Sequence, residues 1–183
     1  LAYQAIVKSF EKETDWAVRK AAVAALTSLV VNAPLTDTQT LEAIELMKGK
    51  LKDNAPPVRV QAAIVLVYFG VKEESEAVLM AELINPEYKG CTQCEWRECI
   101  PIGLSRANKS ELVMKAIRAV VSDDKEDVWL RLSAVNALRQ SGDTEFGKDV
   151  VQRVAQMHED KWIRLRALGL LAQNKDYATI RAA

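Results

Sequence analysis

The sequence is poor in glycine, proline and histidine, and neither sign of charge is in excess. Its 183 residues include 7 Gly, 5 Pro and 1 His, and 25 Lys and Arg balance 25 Asp and Glu. So few turn-forming residues disfavour an all-β fold. Zero net charge disfavours a globally basic nucleic-acid-binding protein and a polybasic membrane-surface protein. No apolar run approaches the roughly 18 residues that a membrane span needs, so we expect no membrane association.

Three cysteines, Cys91, Cys94 and Cys99, lie in one short segment. An odd number confined to one segment does not indicate a disulfide framework. We therefore expect reduced thiols in a long loop and an atypical helix, and a cytoplasmic location. The C-x-x-C spacing of the first two leaves a redox pair or a weak metal site open as alternatives.

One short motif recurs five times along the chain. An apolar residue precedes an arginine, and small and large apolar residues follow it. Successive arginines are 40, 38, 34 and 33 residues apart. Positions −1, +3, +6 and +7 from each arginine fall within about a third of a helical turn, so each copy predicts an amphipathic helix. A second amphipathic helix precedes each copy, which predicts an all-α chain of two-helix repeats.

The predicted repeats cover residues 1–33, 34–71, 72–107, 108–142 and 143–175, with a further helix beginning in 176–183. Thr36 with Gln39, and Asn108 with Glu111, have the spacing of capping boxes at helix starts. Pro101 is expected to kink the second helix of the third repeat and to change the curvature there. Both ends of the chain lack a polar capping repeat, so we expect a segment of a longer array.

The motif closely resembles HEAT repeats, including the short variant of phycobilin-lyase-type proteins. The resemblance covers nearly the whole chain and implies a right-handed α-α superhelix, or solenoid, of about five repeats. In that family, an aspartate at the inter-helix turn and the arginine of the second helix form a ladder between adjacent repeats. The resemblance therefore implies a ladder of Asp15, Asp127 and Asp160 with Arg19, Arg59, Arg97, Arg131 and Arg164. The second repeat departs from the pattern at Asn54-Ala55, and the third departs at Gln93.

Catalytic motifs are scarce, so we expect no enzyme activity, no catalytic residue and no cofactor. His158 is the only histidine, and multi-histidine zinc or iron sites cannot be built within this chain. Deoxyhypusine hydroxylase, an enzyme on the HEAT fold, holds iron with several His–Glu pairs, whereas His158-Glu159 is a single pair. Neither a glycine-rich phosphate loop nor a G-x-S-x-G nucleophile elbow occurs in the sequence.

Equivalent positions of the second helices predict a binding face. Residues at −2, +2, +5 and +9 from each arginine share one arc outside the apolar stripe. Two tryptophans at the same register of neighbouring repeats would form an aromatic ledge beside amide and guanidinium donors. The candidate residues are Trp129, Trp162, Asn136, Gln140, Arg166, Gln173, Tyr68 and Arg106. The alternative is that each tryptophan packs over the inter-helix turn of its own repeat.

These observations favour a non-enzymatic scaffold that binds a protein or peptide along the second helices. One alternative is nucleic-acid binding or base excision, because alkylpurine DNA glycosylases are built from HEAT-like repeats. Zero net charge argues against it, since phosphate contacts dominate affinity for nucleic acids. A second alternative is a chromophore-binding protein related to phycobilin lyases. A third is that the chain is a helical appendage of a larger enzyme.

Overall fold

The computed structural model describes residues 2–32 and 36–173, and within these ranges the chain is all-helical. The helices are α1 (Ala2–Lys12), α2 (Trp16–Asn32), α3 (Asp37–Lys50), α4 (Pro56–Tyr68), α5 (Glu73–Leu83), α6 (Ile100–Ala107), α7 (Glu111–Ser122), α8 (Val128–Gln140), α9 (Lys148–Met157) and α10 (Lys161–Gln173). Two 3₁₀ helices, Pro86–Tyr88 and Glu95–Cys99, lie between α5 and α6. The prediction of an all-α fold is confirmed. The further helix predicted in 176–183 lies outside the described residues.

Consecutive helices pack against each other in pairs. α1 packs on α2, α3 on α4, α7 on α8, and α9 on α10, and each of these pairs falls within one predicted repeat. Additional contacts join α4 to α2 and to α5. α8 also contacts α9, α10 and the 3₁₀ helix Glu95–Cys99, which makes it the central helix of its part of the chain.

The chain divides into two compact units. Unit 1 consists of Leu1–Leu83 with Arg106–Asn108, and unit 2 consists of Ile84–Ser105 with Lys109–Ala183. Each unit buries an apolar core of its own. The fully buried side chains include Leu26, Met47 and Leu66 in unit 1, and Ile117, Leu130 and Leu138 in unit 2.

The apolar stripe of the second helices faces these cores. Val58 and Leu66 of α4 are buried, as are Leu130 and Leu138 of α8. These are positions −1 and +7 from Arg59 and Arg131, as the helical period requires. The stripe has an exception in the first repeat, where Val18 is 45% exposed.

Capping interactions fix where two first helices begin. Thr36 and Gln39 form the predicted capping box of α3, in which each side chain accepts a hydrogen bond from the other residue's backbone N–H. The capping box predicted at Asn108 is wrong. Ser110 caps α7 instead, because its hydroxyl accepts the N–H of Val113 at 3.3 Å.

Pro101 lies at a change of helix type. The 3₁₀ helix Glu95–Cys99 ends directly before α6, and Pro101 is the second residue of α6. Proline is tolerated there because the first-turn N–H groups of an α-helix have no intrahelical acceptor. A change from 3₁₀ to α-helix therefore occurs at the position where a kink was predicted from Pro101. The change of curvature stays a prediction.

Candidate functional site

The two predicted tryptophans each lie in the first turn of a second helix in unit 2. Asp127 caps α8, where its Oδ1 accepts the N–H of Leu130 at 3.1 Å, and Trp129 follows two residues later. Asp160 precedes α10 in the same way, and its Oδ1 accepts the N–H of Trp162 at 2.7 Å. Side-chain caps of this kind hold the first turn of a helix in place. The two indoles therefore start from fixed backbone positions.

Arg166 of α10 connects the two helices. Its guanidinium carbon lies 5.1 Å from the centroid of the Trp129 ring, within the range of a cation–π interaction. Its Nη2 lies 3.9 Å from Oε2 of Glu98, which belongs to the 3₁₀ helix Glu95–Cys99. Three elements of unit 2 thus contribute to one aromatic–guanidinium–carboxylate cluster, Trp129–Arg166–Glu98.

A hydrogen bond to its backbone carbonyl holds Glu98 in a partly buried position. Its carbonyl oxygen accepts the hydroxyl of Ser133, a fully buried residue of α8. Burial raises the pKa of the Glu98 carboxyl, the guanidinium of Arg166 lowers that pKa, and the charges of Asp127 and Glu95 raise it again. The net result is a pKa above the ordinary value of 4.5. The cluster thus contains a carboxylate that is poorly solvated and loosely paired.

Trp162 is more exposed to solvent than Trp129. It is 61% exposed, and its neighbour Leu165 is 57% exposed. The ammonium of Lys161 lies 5.3 Å from the centroid of the Trp162 ring. Trp129 is half-buried. Packing over the turn of its own repeat therefore does not account for Trp162, because most of that side chain is in contact with solvent.

Three further predicted residues of α8 and α10 have amide side chains. Asn136 is half-buried, and its Oδ1 accepts the Nε2 of the exposed Gln140 at 3.4 Å. Gln173 is exposed at the end of α10. Six of the eight predicted residues thus belong to unit 2, and we name them the α8–α10 face: Trp129, Asn136, Gln140, Trp162, Arg166 and Gln173.

The other two predicted residues belong to unit 1 and contact each other. The guanidinium carbon of Arg106 lies 5.3 Å from the centroid of the Tyr68 ring, and Arg106 also donates a hydrogen bond to the Tyr68 hydroxyl. Tyr68 is 45% exposed. This pair is a second exposed aromatic–guanidinium contact, and it belongs to unit 1.

The repeat arginines bind the turn before their own helix. Arg19 donates to the carbonyl of Thr14 at 2.7 Å, and Arg59 donates to the carbonyl of Asp53 at 2.7 Å. The same arrangement recurs in the remaining repeats, where Arg97 donates to Tyr88, Arg131 to Val121, and Arg164 to His158 and Glu159. These bonds satisfy carbonyl groups in or before the turn.

The acidic partners of these arginines differ from the ladder that the resemblance implies. Arg19 pairs with Asp53 at 2.8 Å, Arg59 with Glu82 at 2.5 Å, and Arg97 with Glu126 at 3.1 Å, each partner coming from the next predicted repeat. Arg131 pairs with Asp124 of its own repeat at 2.8 Å.

The aspartates Asp15, Asp127 and Asp160 have a different role from the expected one. The carboxylate of Asp15 accepts the N–H of Ala17 at 2.8 Å, and Asp127 and Asp160 act in the same way at α8 and α10. Their oxygens thus satisfy the free N–H groups of a helix start. This corrects the expected pairing of these three aspartates with the arginines.

The cysteine segment also departs from expectation. Cys91 and Cys94 form a disulfide, so the expectation of reduced thiols is wrong for this pair. Cys99 is not part of the disulfide, and its thiol donates to the carbonyl of Trp96 at 3.0 Å. Over the described residues no group of three His, Cys, Asp or Glu side chains is arranged to hold a metal ion. The weak metal candidates Cys91, Cys94 and Cys99 are therefore not assembled into a site.

A cavity of about 380 Å³ lies in unit 2 and is lined in part by Arg131, Asp124, Arg153 and Asp149. Arg131 pairs with Asp124, and Arg153 lies 3.9 Å from Asp149. The two cations and two anions of the lining balance one another, so the cavity offers no strong preference for a charged ligand.

The chemistry of the α8–α10 face suits recognition. An exposed indole, a half-exposed guanidinium and amide groups supply apolar area and hydrogen-bond donors, the combination that anchors protein interfaces. Sequence patterns located the tryptophans and Arg166 but missed Glu98. Glu98 lies three residues before Pro101 in an irregular repeat, so the α-helical period does not predict which face it occupies.

Comparison with known proteins identifies no relative. The chain matches no protein-family model, no curated protein and no solved structure. Among the described helices, none combines the length and apolar character needed to cross a membrane.

Proposed function

We propose that this chain is a HEAT-like α-solenoid that acts as a non-enzymatic, cytoplasmic scaffold and binds a protein or peptide along its second helices. The observation that carries the proposal is the exposure of Trp162, which is 61% exposed in the first turn of α10. A large indole left in water costs hydrophobic free energy that a partner would recover on binding.

The contacts around Trp129 support the same role. Arg166 is already ordered by the Trp129 ring and by Glu98, so a partner would lose less side-chain entropy on binding it. The partner expected from this chemistry is a peptide segment with an apolar side chain for Trp162 and Leu165. Its backbone carbonyls would accept from the amides of Gln140 and Gln173.

The charge at the face disfavours the nucleic-acid alternative. Glu98 places a carboxylate beside Arg166, at 3.9 Å, and therefore reduces the attraction of the guanidinium for a phosphate. A chromophore-binding role has no specific residue of the described chain in its favour. Both alternatives remain as outcomes of the test below.

The experiment is quantitative affinity capture from nuclease-treated lysate with three forms of the chain. These are the wild type, Trp162→Ala and the matched control Leu112→Ala. Leu112 is an apolar side chain that is 67% exposed on α7, the first helix of its repeat, and therefore lies outside the proposed face. Truncation of an interface anchor costs about 2 kcal/mol or more, or roughly 30-fold in affinity. We expect one protein to be retained by the wild type and by Leu112→Ala and lost by Trp162→Ala.

Equal retention by all three forms would contradict the proposed face. Salt-sensitive binding of duplex DNA would favour the nucleic-acid alternative, and visible-absorbance changes on addition of a bilin would favour the chromophore alternative. Circular dichroism of the three forms, measured beforehand, confirms that each is folded.

A further inference from the structure

The Cys91–Cys94 disulfide lies in an accessible turn. Both side chains are half-buried, and the two residues between them, Thr92 and Gln93, are exposed. The turn that carries the disulfide is therefore partly accessible to solvent. Cys99, which is also half-buried, is not part of the disulfide.

Both sides of this turn are attached to one carboxylate, that of Glu126. Before the disulfide, the N–H of Gly90 donates to Oε2 of Glu126 at 3.2 Å. After it, Arg97 donates to both oxygens of Glu126 at 3.1 Å and also to the carbonyl of Tyr88. Arg97 and Glu126 are almost completely buried, with side-chain exposures of 2% and 8%. None of these bonds involves an atom of Cys91 or Cys94.

The backbone at Gly90 adds a steric restraint. Gly90 has φ +69°, and a Cβ built there would lie 2.7 Å from the carbonyl oxygen of Lys125. The chain therefore passes close to Lys125 directly before Cys91. Lys89 also pairs with Asp123 at 2.6 Å.

The turn is consequently held in a form that keeps the two cysteines together. Their Cα atoms are 5.4 Å apart, within the range usual for disulfides. Because the anchors at Glu126 remain after the bond opens, the two thiols stay neighbours and can close the ring again. A disulfide that spans only two intervening residues also restricts the unfolded chain less than one that closes a long loop. The fold thus depends little on this bond.

We propose that Cys91 and Cys94 form a reversible thiol–disulfide exchange site whose substrate is a dithiol. A thiolate of the dithiol attacks one cysteine sulfur, the Cys91–Cys94 bond breaks, and the other cysteine leaves as a thiolate that takes up a proton. The second thiolate of the dithiol then attacks the dithiol sulfur that is bonded to the protein in the mixed disulfide. This step releases the first cysteine as a thiolate. Two electrons pass to the protein, and the dithiol becomes a disulfide. In the reverse reaction, the reduced Cys91 and Cys94 pass two electrons to the disulfide of the oxidised substrate and form the protein disulfide again. This site does not rest on the proposed scaffold function.

The test is a redox titration of the folded chain in mixtures of reduced and oxidised dithiothreitol. Each sample is quenched with acid, alkylated with N-ethylmaleimide and mapped by peptide mass. We expect Cys91 and Cys94 to become labelled together in one two-electron transition, while Cys99 is labelled throughout. The same midpoint should be reached from the oxidised and the reduced side, with an unchanged far-ultraviolet circular dichroism spectrum.

Two variants define the site. Cys99→Ser, the matched control, should leave the transition in place, and Cys91→Ser should abolish it. Labelling of Cys91 and Cys94 only after addition of urea would show a structural disulfide and overturn the proposal. Labelling of both at every ratio would show that no disulfide forms and would overturn it as well. The wild-type titration decides between these outcomes even if Cys91→Ser does not fold.

Discussion

Arg97 of the irregular third repeat and Glu126 of the fourth repeat form a buried, bidentate ion pair. The guanidinium contacts both carboxylate oxygens at 3.1 Å, and the two side chains are 2% and 8% exposed. Arg97 is the repeat arginine, and Glu126 comes from the turn before α8. The pair therefore links the cysteine-containing turn to the next helix pair within unit 2.

Loss of the Glu126 charge should destabilise unit 2. Glu126→Gln leaves the buried guanidinium of Arg97 without its anion, which typically costs about 3–5 kcal/mol in the free energy of unfolding. The matched control is Glu111→Gln, because Glu111 pairs with Arg118 at 3.3 Å but is 83% exposed. Its loss should cost about 0–1 kcal/mol. Urea unfolding monitored by tryptophan fluorescence measures both, and equal losses would contradict the structural role of Arg97–Glu126.

Asp53 should make the stability of unit 1 sensitive to acid. Burial raises the pKa of its carboxyl, but hydrogen bonds from Arg19 and from the N–H of Ala55 outweigh burial and hold the pKa below the ordinary 3.8. A lowered pKa contributes stability that is complete above 3.8 and is lost as the pH falls through the folded-state value. The free energy of unfolding should therefore fall more steeply below about pH 4 in the wild type than in Asp53→Asn. Parallel curves for the two proteins would argue against this pair as a source of stability.

Glu98 should have the opposite pH dependence. Burial raises its pKa above 4.5, so the folded protein binds the proton more tightly than the unfolded chain does. The free energy of unfolding should then decrease as the pH rises from 4.5 through the folded-state pKa of Glu98, and it should level off above that value. Glu98→Gln should lack this component, whereas Glu145→Gln, at an exposed position, should retain it. Chemical denaturation at a series of pH values tests the sign, and a slope unchanged in Glu98→Gln would refute it.

Gly147 should not tolerate a side chain. It has φ +76°, and an added Cβ would lie 2.7 Å from Val135 Cγ2 and 2.8 Å from Val121 Cγ1. The left-handed backbone costs alanine about 1–2 kcal/mol, and overpacking adds roughly 1–3 kcal/mol. Gly142 is the matched control, because it has φ +100° with no atom within 4 Å of an added Cβ. Thermal unfolding should show a clearly larger loss for Gly147→Ala than for Gly142→Ala, and similar losses would remove the steric argument.

The helical pattern was predictable because it depends on local periodicity. Apolar residues at −1 and +7 from Arg59 and Arg131 are buried in α4 and α8, as a period of 3.6 residues requires. The capping box at Thr36 was likewise visible as a short-range spacing. The tryptophans of the candidate face were found from the same register.

Long-range pairings were not predictable from that register. Arg19 binds Asp53, which lies 34 residues further along the chain. Asp53 is six residues before Arg59, whereas the aspartates of the expected ladder are four residues before their repeat arginine. Glu98 depends on Ser133 and Arg166, which tertiary packing alone brings to it. The sequence does not predict the Cys91–Cys94 disulfide, because reduced, metal-binding and disulfide-bonded cysteine pairs share the C-x-x-C spacing.

Site-specific photo-cross-linking shows whether the α8–α10 face binds a protein. A benzophenone amino acid is placed at Leu165, which is 57% exposed beside Trp162, or at Leu112, which is 67% exposed on α7. Both proteins are irradiated in the same lysate and analysed by mass spectrometry. We expect a covalent adduct with one defined protein from position 165 and none of that protein from position 112. The same adduct from both positions, or from position 112 alone, would contradict this expectation.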